Sequence, residues 1–385
     1  MKKTLLGSIA DIQTGPFGSQ LHKEDYVEKG TPIVTVEHLG NRVFTEQNLP
    51  MVSDYDKERL NKYVLCEGDI VFSRVGSVDR CSYVDSNHSG WMFSGRCLRV
   101  RPSNILYPLY LYYYFCMEST KRFVRNIAVG ATMPSINTKL MGEVEISVPS
   151  IDTQKRIATI LSSIDDKIEL NAVINENLEQ QAQAIYAKMF IDNALEKWET
   201  ATLSDIAIIT MGQSPKGDTF NETGNGSVFY QGRTDFGFRF PTRRLYTTEP
   251  KRIALCDDAL ISVRAPVGDL NVAYEECCIG RGLAAIHSKN NHQSYVLYTL
   301  FTLQRQLDVF NGEGTVFGSI NKDSLNSMEI QIPPTELIDQ FESIVSPIDR
   351  AIRNNYEEIC RLQTIRDLLL PKLMNGEIDV SQVQI

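Results

Sequence analysis

Histidine, tryptophan and paired cysteines are scarce in this chain, and their scarcity limits the chemistry it can perform. The 385 residues include 5 histidines, 2 tryptophans and 8 cysteines. No two cysteines form a C-x-x-C pair, and no histidine follows one at the spacing of a zinc ligand. We therefore interpret the cysteines as reduced thiols of a cytoplasmic protein rather than as a disulfide framework, and we predict no metal site.

Long apolar runs and familiar catalytic motifs are also missing. Asp11 interrupts the opening MKKTLLGSIADIQTG before it becomes a signal-peptide core, and no segment reaches the length of a membrane span. GQSPKGDT at 212–219 imitates a phosphate-binding loop, but Asp218 stands at the lysine position and would repel phosphate. No nucleophile elbow, zinc-protease helix or dinucleotide fingerprint occurs. We predict no catalytic residue, which favours recognition over chemistry.

An internal repeat is what the sequence does contain. GATMPSIN at 130–137 and GTVFGSIN at 314–321 lie 184 residues apart, and the same offset continues without a gap to the end of the second copy. A looser match near an offset of 190 places LCEGDIVFSRVGSV (65–78) on LCDDALISVRAPVG (255–268). That match aligns Arg74 with Arg264, and a nearby one aligns Arg96 with Arg281. The chain is interpreted as a tandem duplication.

The ungapped part of each copy reads as a long helix. Apolar residues recur every 3.5 residues over 151–190 and 335–374, the pattern of a coiled coil. Prolines precede both helices, and Gly376 is expected to end the second. Neither seam can bury itself, so we expect the two helices to pair antiparallel. Asn171 and Asn355 lie near the middles of the two helical segments. They would fix the register of the helix pair by facing each other; alternatively, each sits at the edge of the seam in water.

The remaining segments carry short strand patterns between turn signals. We predict an α+β fold, with two strand-rich domains separated by two long antiparallel coiled-coil helices in a pseudo-two-fold repeat. A tyrosine-rich stretch, 107–114, is interpreted as core and helix surface rather than as a base-stacking platform. The predicted divisions are a first domain, a central helix, a second domain and a C-terminal helix with a tail, at 1–150, 151–199, 200–333 and 334–385.

Negative charge is concentrated in the helical segments. The net charge of −9 divides into −4 for each helical segment, +1 for the first domain and −2 for the second. A nearly neutral domain can still bind DNA when its arginines share a face, but it would bind weakly alone. The distribution therefore suggests that a partner contributes to binding.

The ordered set of motifs resembles the specificity subunits of type I restriction–modification systems. The elements are GQSPKG and the looser TGPFGSQ at the domain starts, GDIVFSRVG, the two Ser-Ile-Asn motifs, ISVPSIDTQKRIATILSSIDDKI, and the ending IRDLLLPKLMNGEI. The resemblance covers essentially the whole chain. The second helix start, PPTELIDQFESIV, lacks the usual Glu-Gln-Arg-like entry, and VGSVDR stands where a second glycine is common.

The resemblance implies a non-catalytic subunit that reads a bipartite, asymmetric site in double-stranded DNA. Each larger domain would read one half-site, and the helices would set the spacer between the half-sites. The implied partners are two methyltransferase subunits, which bind S-adenosylmethionine and methylate adenine at N6, and restriction–translocase subunits, which use ATP and Mg²⁺. The acidic helices would provide the docking surface for these partners, and the chain itself would bind no cofactor.

Candidate DNA-contacting residues fall into two classes. Arginines aligned between the copies are expected to touch phosphates or form internal ion pairs, and polar residues in divergent loops are expected to read bases. Asn137 and Asn321 could touch DNA, but we favour a structural role in which Ser135 and Ser319 cap a short helix. The full set of candidates is Gln20, Lys23, Arg74, Arg80, Arg96, Gln213, Lys216, Gln231, Arg233, Arg239, Arg264 and Arg281.

Two other functions remain compatible with the residues alone. The first is a duplicated adaptor that joins proteins through its coiled coil without reading DNA. The second is an enzyme with an unfamiliar site, such as a self-contained methyltransferase, although the chain has no cofactor loop and no Asn/Asp-Pro-Pro-Tyr motif.

Overall fold

The computed structural model describes residues 3–17, 20–194, 198–311 and 318–381. The chain forms two compact units. The first unit comprises residues 1–170 together with 358–385, and the second comprises 171–357. Each unit thus contains one strand-rich domain and a segment from each of two long helices.

Most of the strands and helices described in the first domain are short strands. They are β1 (Lys3–Leu5), β2 (Ala10–Thr14), β3 (Tyr26–Val27), β4 (Thr31–Val34), β5 (Met51–Val52), β6 (Ile70–Ser73), β7 (Cys81–Tyr83), β8 (Met92–Phe93), β9 (Cys97–Pro102) and β10 (Glu145–Ser147). The helices are α1 (Asp54–Arg59), α2 (Pro108–Cys116), α3 (Glu118–Ile127) and α4 (Thr138–Gly142), and the long α5 (Ile151–Ala187) follows them.

Two sheets and a strand pair organise this domain. One antiparallel sheet has the order β2-β9-β6-β7, and a second has the order β3-β5-β4-β8 with β4 and β8 parallel. Strand β1 pairs antiparallel with β10, so the start of the domain is tied to the strand that precedes α5. The first sheet and α2 share a core with Ile157 and Leu161 of α5 and with Leu373 and Val380 near the end of the chain.

The tyrosine-rich stretch lies in this core, as predicted. Tyr110 is fully buried and its hydroxyl donates to the Ser147 carbonyl at 2.8 Å. Tyr113 is 2% exposed, and its hydroxyl donates to the Asp165 carboxylate on α5 at 2.7 Å. Burial, reinforced by the nearby carboxylate of Asp165, raises the pKa of Tyr113 well above its ordinary value. These rings are therefore not available to stack on bases.

The second domain repeats the pattern of the first. Its strands are β11 (Glu199–Thr202), β12 (Ala207–Met211), β13 (Phe220–Asn221), β14 (Ser227–Tyr230), β15 (Leu245–Thr247), β16 (Ile253–Ala254), β17 (Ala259–Ser262), β18 (Leu270–Val272), β19 (Cys277–Ile279), β20 (Leu283–Ser288) and β21 (Glu329–Ile332). Its helices are α6 (Leu203–Ile206), α7 (Gln293–Thr302), α8 (Gln304–Asp308) and α9 (Lys322–Asn326), and the long α10 (Thr335–Met374) follows them.

The sheets of the second domain correspond to those of the first. One antiparallel sheet has the order β12-β20-β17-β18, and the other has the order β13-β15-β14-β19-β16 with β14 and β19 parallel. Strand β11 pairs with β21, as β1 pairs with β10. The core contains α7 and buried residues of both long helices, among them Tyr186 of α5 and Phe341 of α10.

Backbone hydrogen bonds correct the alignment of the two copies. The Asp69 carboxylate accepts from the Cys66 N–H, and the Asp258 carboxylate accepts from the Leu255 N–H, both at 2.8 Å. The strand before the arginines is therefore repeated at an offset of 189 rather than 190. The carbonyl of Arg74 accepts from the Ile136 N–H, as the carbonyl of Val263 accepts from the Ile320 N–H. These bonds match Arg74 with Val263 and show that the predicted pairing of Arg74 with Arg264 was wrong by one residue.

The second predicted arginine pair is corrected in the same way. The Arg96 carbonyl accepts from the Arg74 N–H at 2.8 Å, and the Gly282 carbonyl accepts from the Val263 N–H at 2.9 Å. Arg96 therefore corresponds to Gly282, and Arg281 corresponds to Gly95. The two domains share a backbone frame, but they place their arginines at different positions on it.

The two long helices run antiparallel within each unit, as predicted. In the first unit, Asp165 of α5 pairs with Arg366 of α10 at 2.9 Å. In the second unit, the Tyr186 and Phe341 ring centroids are 5.5 Å apart, and Asn175 donates to the Ile352 carbonyl at 3.1 Å. Residues further along α5 thus meet residues earlier along α10. The seam with a period of 3.5 residues is the reason that these apolar positions face a partner helix.

The helix ends follow local signals in the sequence. At the start of α5 the Ser150 hydroxyl accepts from the Thr153 N–H at 3.2 Å. After Ala187 the helix continues as a π-helical turn, Lys188–Asp192. Helix α10 ends at Met374, and Gly376 follows with φ of 75°, the left-handed conformation that glycine adopts most easily. In the part of the chain that the structure describes, no helix combines the length and the apolar character needed to cross a membrane.

Candidate nucleic-acid interface

Three predicted base-reading or phosphate-binding residues meet at one end of the second domain. Gln213 follows β12, Gln231 follows β14, and Arg281 lies between β19 and β20. The Gln213 N–H donates to the Ile279 carbonyl at 2.9 Å, and the Arg281 N–H donates to the Ser214 hydroxyl at 3.2 Å. These bonds hold Gln213 and Arg281 on adjoining turns, and the Gly280 N–H ties the turn of Gln231 to them by donating to the Tyr230 carbonyl at 2.8 Å. All three residues are exposed.

Glycines on both sides of Arg281 allow the turns to pack closely. A Cβ at Gly280 would lie 3.0 Å from the Gln231 Cα, and one at Gly282 would lie 2.8 Å from the Gln231 carbonyl oxygen. Neither position has room for a side chain, so the turn holds Arg281 against the Gln231 backbone in a fixed place. No carboxylate of the described residues forms an ion pair with Arg281, whose guanidinium can therefore bind an external anion.

The corresponding turn of the first domain carries its arginines differently. Arg74 is half-buried, donates from Nη1 to the Gly95 carbonyl at 3.1 Å and lies 6.0 Å from the centre of the Phe17 ring. Arg74 thereby supports the turn 94–96, and the exposed Arg96 is the cation that the turn presents to solvent. Phe17 is 61% exposed and adds an apolar surface beside these arginines.

Other candidates from the sequence already have partners within the protein. The Gln20 amide oxygen accepts from the Tyr63 hydroxyl at 2.7 Å. Arg80 donates to the Leu39 carbonyl, and Arg233 forms an ion pair with Asp269 at the surface. A surface ion pair is weak and does not prevent Arg233 from contacting DNA.

Two further candidates, Lys216 and Arg264, lie at the surface of the second domain. Lys216 is exposed, and its carbonyl accepts from the Thr219 hydroxyl at 2.7 Å. Arg264 is exposed, and its backbone pairs with Ser319. The side chain of Lys23 lies outside the described residues, as does the 312–317 part of the second Ser-Ile-Asn loop.

The position of Arg239 argues against its prediction as a DNA contact. Its side chain is 5% exposed and lies 2.8 Å from the Glu179 carboxylate of α5. It also pairs with Asp349 of α10 and approaches the Tyr298 hydroxyl. Burial alone would lower the pKa of Arg239, but the carboxylates of Asp349 and Glu179 raise it above its usual value. Arg239 is an internal cation that links the domain to the helices.

The repeated Ser-Ile-Asn motif has a structural role, although not through its serines. Asn137 and Asn321 are the residues that cap α4 and α9, because their side chains accept from the N–H groups of Leu140 and Ser324 at 2.9 and 2.8 Å. Ser135 instead pairs through its backbone with Val129. The predicted serine caps were therefore wrong. The isoleucines of both motifs, Ile136 and Ile320, are buried as predicted.

Comparison with known proteins identifies the family. A family model described as the type I restriction modification DNA specificity domain matches residues 1–180 and 195–362. The putative type I restriction enzyme MjaX specificity subunit of Methanocaldococcus jannaschii is 31% identical over 384 residues, covering 93% of this chain and 89% of that protein. The chain belongs to the type I restriction–modification specificity subunits.

Two further specificity subunits are similar over most of their length. The MjaIX specificity subunit of Methanocaldococcus jannaschii is 27% identical over 308 residues, covering 71% of this chain and 70% of that protein. The crystal structure of the type I restriction–modification S subunit from M. genitalium has a TM-score of 0.62 at 19% identity, and the match covers 97% of this chain and 95% of that one. This structural likeness shows the fold alone.

The helix asparagines of this specificity subunit form a polar contact inside the seam. Asn355 donates to the side-chain oxygen of Asn175 at 2.8 Å, a partner that the sequence did not predict. Asn171, one turn earlier on α5, is 2% exposed, so the alternative that it lies in water at the seam edge was wrong. A hydrogen bond between asparagines in an apolar seam fixes the register, because any slip would bury the amides without partners.

Sequence reasoning missed Arg42, which binds the helix in the first unit. Its guanidinium lies 2.5 Å from the Asp166 carboxylate and 3.0 Å from the Glu169 carboxylate, both on α5. A signal was present, because Gly40-Asn41-Arg42 and Gly237-Phe238-Arg239 share the spacing Gly-x-Arg. The motif is too short to stand out when the loops around it differ in length.

Metal ligands are not clustered in this specificity subunit. Within the described ranges, no group of three or more histidine, cysteine, aspartate or glutamate side chains is placed to hold a metal ion. The chemistry available at the interface is hydrogen bonding by glutamines and anion binding by arginines.

Proposed function

We propose that this chain selects the DNA sequence for a type I restriction–modification complex, with each domain reading one half of a bipartite, asymmetric site. The observation that carries the proposal is a turn that both domains share. It lies between β8 and β9 in the first domain and between β19 and β20 in the second. Its frame is the same in both domains, but its residues are Ser94-Gly95-Arg96 in one and Gly280-Arg281-Gly282 in the other. In each domain this shared frame presents one exposed arginine, Arg96 or Arg281, which supports two DNA-binding domains. Different bases would be read by polar side chains that lie beside the turn, such as Gln213 and Gln231 in the second domain.

The rest of the complex supplies the chemistry in this proposal. Two methyltransferase subunits bind S-adenosylmethionine and methylate adenine at N6, and restriction–translocase subunits use ATP and Mg²⁺. The chain itself is non-catalytic and acts in the cytoplasm. Its two long helices set the spacer, and the acidic residues on their exposed faces dock the partners. Acidic helices suit this role because they would repel the phosphates of DNA.

The proposal is tested by sequencing modified bases in the DNA of cells that express this chain with its neighbouring methyltransferase. The expected result is a two-part motif with modified adenines that disappears when the chain is absent. Unchanged modification in an assembled complex would favour an adaptor without DNA readout. Binding of S-adenosylmethionine by the isolated chain would favour an enzyme.

Replacing Arg281 with alanine should weaken DNA binding about equally for all sequences. The side chain is exposed and has no carboxylate partner among the described residues, so a phosphate is the ligand that suits it. We expect the slope of log K against log salt to fall by about 1 for Arg281→Ala, measured by fluorescence anisotropy on the complex with methyltransferase. Arg96→Ala should do the same through the first domain.

Arg350→Ala is the matched control for this measurement, since Arg350 is an exposed arginine on α10. An equal loss of salt dependence in the control would mean that the effect reports net charge rather than a phosphate contact. A change in base preference with Arg281→Ala would instead make Arg281 a reader.

A further inference from the structure

The backbone around Arg239 is hydrogen-bonded to the edge strand β18 of the second domain. The Arg239 carbonyl accepts from the Val272 N–H at 2.9 Å, at the end of β18. Two residues earlier, the Gly237 carbonyl accepts from the Asn271 side chain at 2.8 Å. The candidate readers Gln231 and Arg233 precede it on the same segment. The segment is therefore fixed to the sheet on either side of its exposed part, by β14 before and by these bonds after.

The side chain of Arg239 leaves the sheet and joins the helices. One guanidinium nitrogen binds Glu179 of α5, and another pairs with Asp349 of α10. The Tyr298 hydroxyl of α7 donates to the same Asp349 carboxylate at 2.9 Å. A planar guanidinium can bind two carboxylates in a fixed geometry, so Arg239 restrains the direction of the segment as well as its distance from the helices.

Arg42 occupies the equivalent position in the first unit. Its carbonyl accepts from the Tyr83 N–H at 2.7 Å, at the end of β7, which corresponds to β18. The Ser82 hydroxyl donates to the Asn41 carbonyl at 2.7 Å. Its guanidinium binds Asp166 and Glu169 and approaches the Ser162 carbonyl of α5 at 3.4 Å. The carboxylates differ in position from those around Arg239, but the connection of sheet to helix is the same.

We propose that Arg239 and Arg42 are positioning residues, each of which orients its own DNA-reading domain on the long helices. Each residue thereby limits the distances from the other half-site at which its own domain can read DNA. This inference rests on the proposed function. A DNA-reading domain that is held to the helices meets the duplex in one orientation, and it therefore accepts its half-site at one spacing. When the link is removed, the domain keeps its reading turns but tilts more freely, so it reads its own half-site less strictly and accepts it at neighbouring spacings.

The test uses the full chain expressed with its methyltransferase, and its readout is the modified-base motif with its spacer lengths. Arg239→Gln should lower modification of the native site by about tenfold. It should also add sites whose spacer differs by one base pair and relax the second domain's half-site, while the first half-site stays unchanged. Arg42→Gln should give the mirror result, so each variant is the control for the other.

Two further variants separate positioning from folding. Arg239→Gln leaves two carboxylates without their cation, which can destabilise the unit. The triple variant Arg239→Gln, Glu179→Gln, Asp349→Asn removes all the charges and should still assemble, with the same broadened spacer. Arg239→Lys keeps the charge without the planar fork, so it should assemble like the parent but still show part of the broadened spacer. The exposed Arg350→Gln should behave as the parent.

Three results have distinct meanings. If the parent chain yields no two-part motif, the proposed function fails, whatever the variants do. If the parent motif is present and the assembled Arg239→Gln and triple variants keep its spacer, the positioning role is overturned. Equal relaxation of both half-sites by either single variant would also overturn it, because that pattern indicates general destabilisation.

Discussion

Replacing residues 1–150 with the first domain of another specificity subunit should change one half of the modified DNA motif completely. The other half should stay unchanged, because the second domain has its own sheets and its own core. Pairing of β1 with β10 closes the exchanged segment within itself. The new domain must also supply a hydroxyl for Asp165, the role that Tyr113 has here. Sequencing of modified bases in cells carrying the chimera gives both half-sites in one measurement.

The reciprocal exchange of residues 200–333 is the matched control for this experiment. It should change the half-site that the first exchange leaves intact. Its junctions are equivalent, since β11 pairs with β21 at the two ends of the segment. Modular reading would be disproved by a chimera that assembles with methyltransferase and alters both halves of the motif.

Lengthening both long helices should lengthen the recognised spacer or abolish recognition of the native site. The insertion points are between residues 170 and 171 in α5 and between 357 and 358 in α10, where the chain passes from one unit to the other. Seven residues in each helix preserve the seam, which repeats every 3.5 residues. They add roughly 10 Å at about 1.5 Å per residue, which equals about three base pairs at ~3.4 Å each. Modified-base sequencing and binding to a series of spacer lengths would measure the change.

Four residues inserted into α5 alone provide the contrast. Placed between residues 170 and 171, they put the seam out of register, so Asp165–Arg366 in the first unit and Asn175–Asn355 in the second cannot both be kept. The native spacer should then be lost with no new optimum. If the variants with paired insertions kept the native spacer, the helices would not be what sets the spacer length.

The long helices were the part of the fold that the sequence predicted best. Their apolar seam is a local and regular signal, prolines precede both helices, and Gly376 marks the end of the second. The burial of Tyr110 and Tyr113 was also predictable, because a run of large apolar rings on a short helix usually faces a core.

The alignment of the two copies was predictable only to within one residue upstream of the helices. Leu65-Cys66 and Leu255-Cys256 are identical pairs, and their similarity shifted the match away from the true frame. The frame is set by Asp69 and Asp258, whose carboxylates close the same turn. Which residues of the two copies are equivalent is decided by these hydrogen bonds, and they cannot be deduced from the similarity of residue types alone.

Arg239 shows why the interface itself was harder to predict. It stands between Phe238 and Phe240 in a stretch that also contains Gly237 and Pro241, and this composition indicates a loop but does not distinguish an exposed arginine from a buried one. Its burial depends on Glu179 and Asp349, which are distant in sequence and reach it only through the fold. By contrast, Gln213 and Gln231 were correctly predicted to lie in exposed loops, because each follows an apolar strand pattern.

The core of the first unit contains Leu373, Met374 and Val380 as well as residues near the start of the chain. The second unit, by contrast, is a single continuous stretch, 171–357. On the ribosome, domains usually fold in the order in which they emerge. Here the order of completion is reversed: the domain that is synthesised first acquires its last core residues only after the second unit has been synthesised in full. A chain that stops before residue 358 therefore has all the residues of its second unit and an unfinished first one.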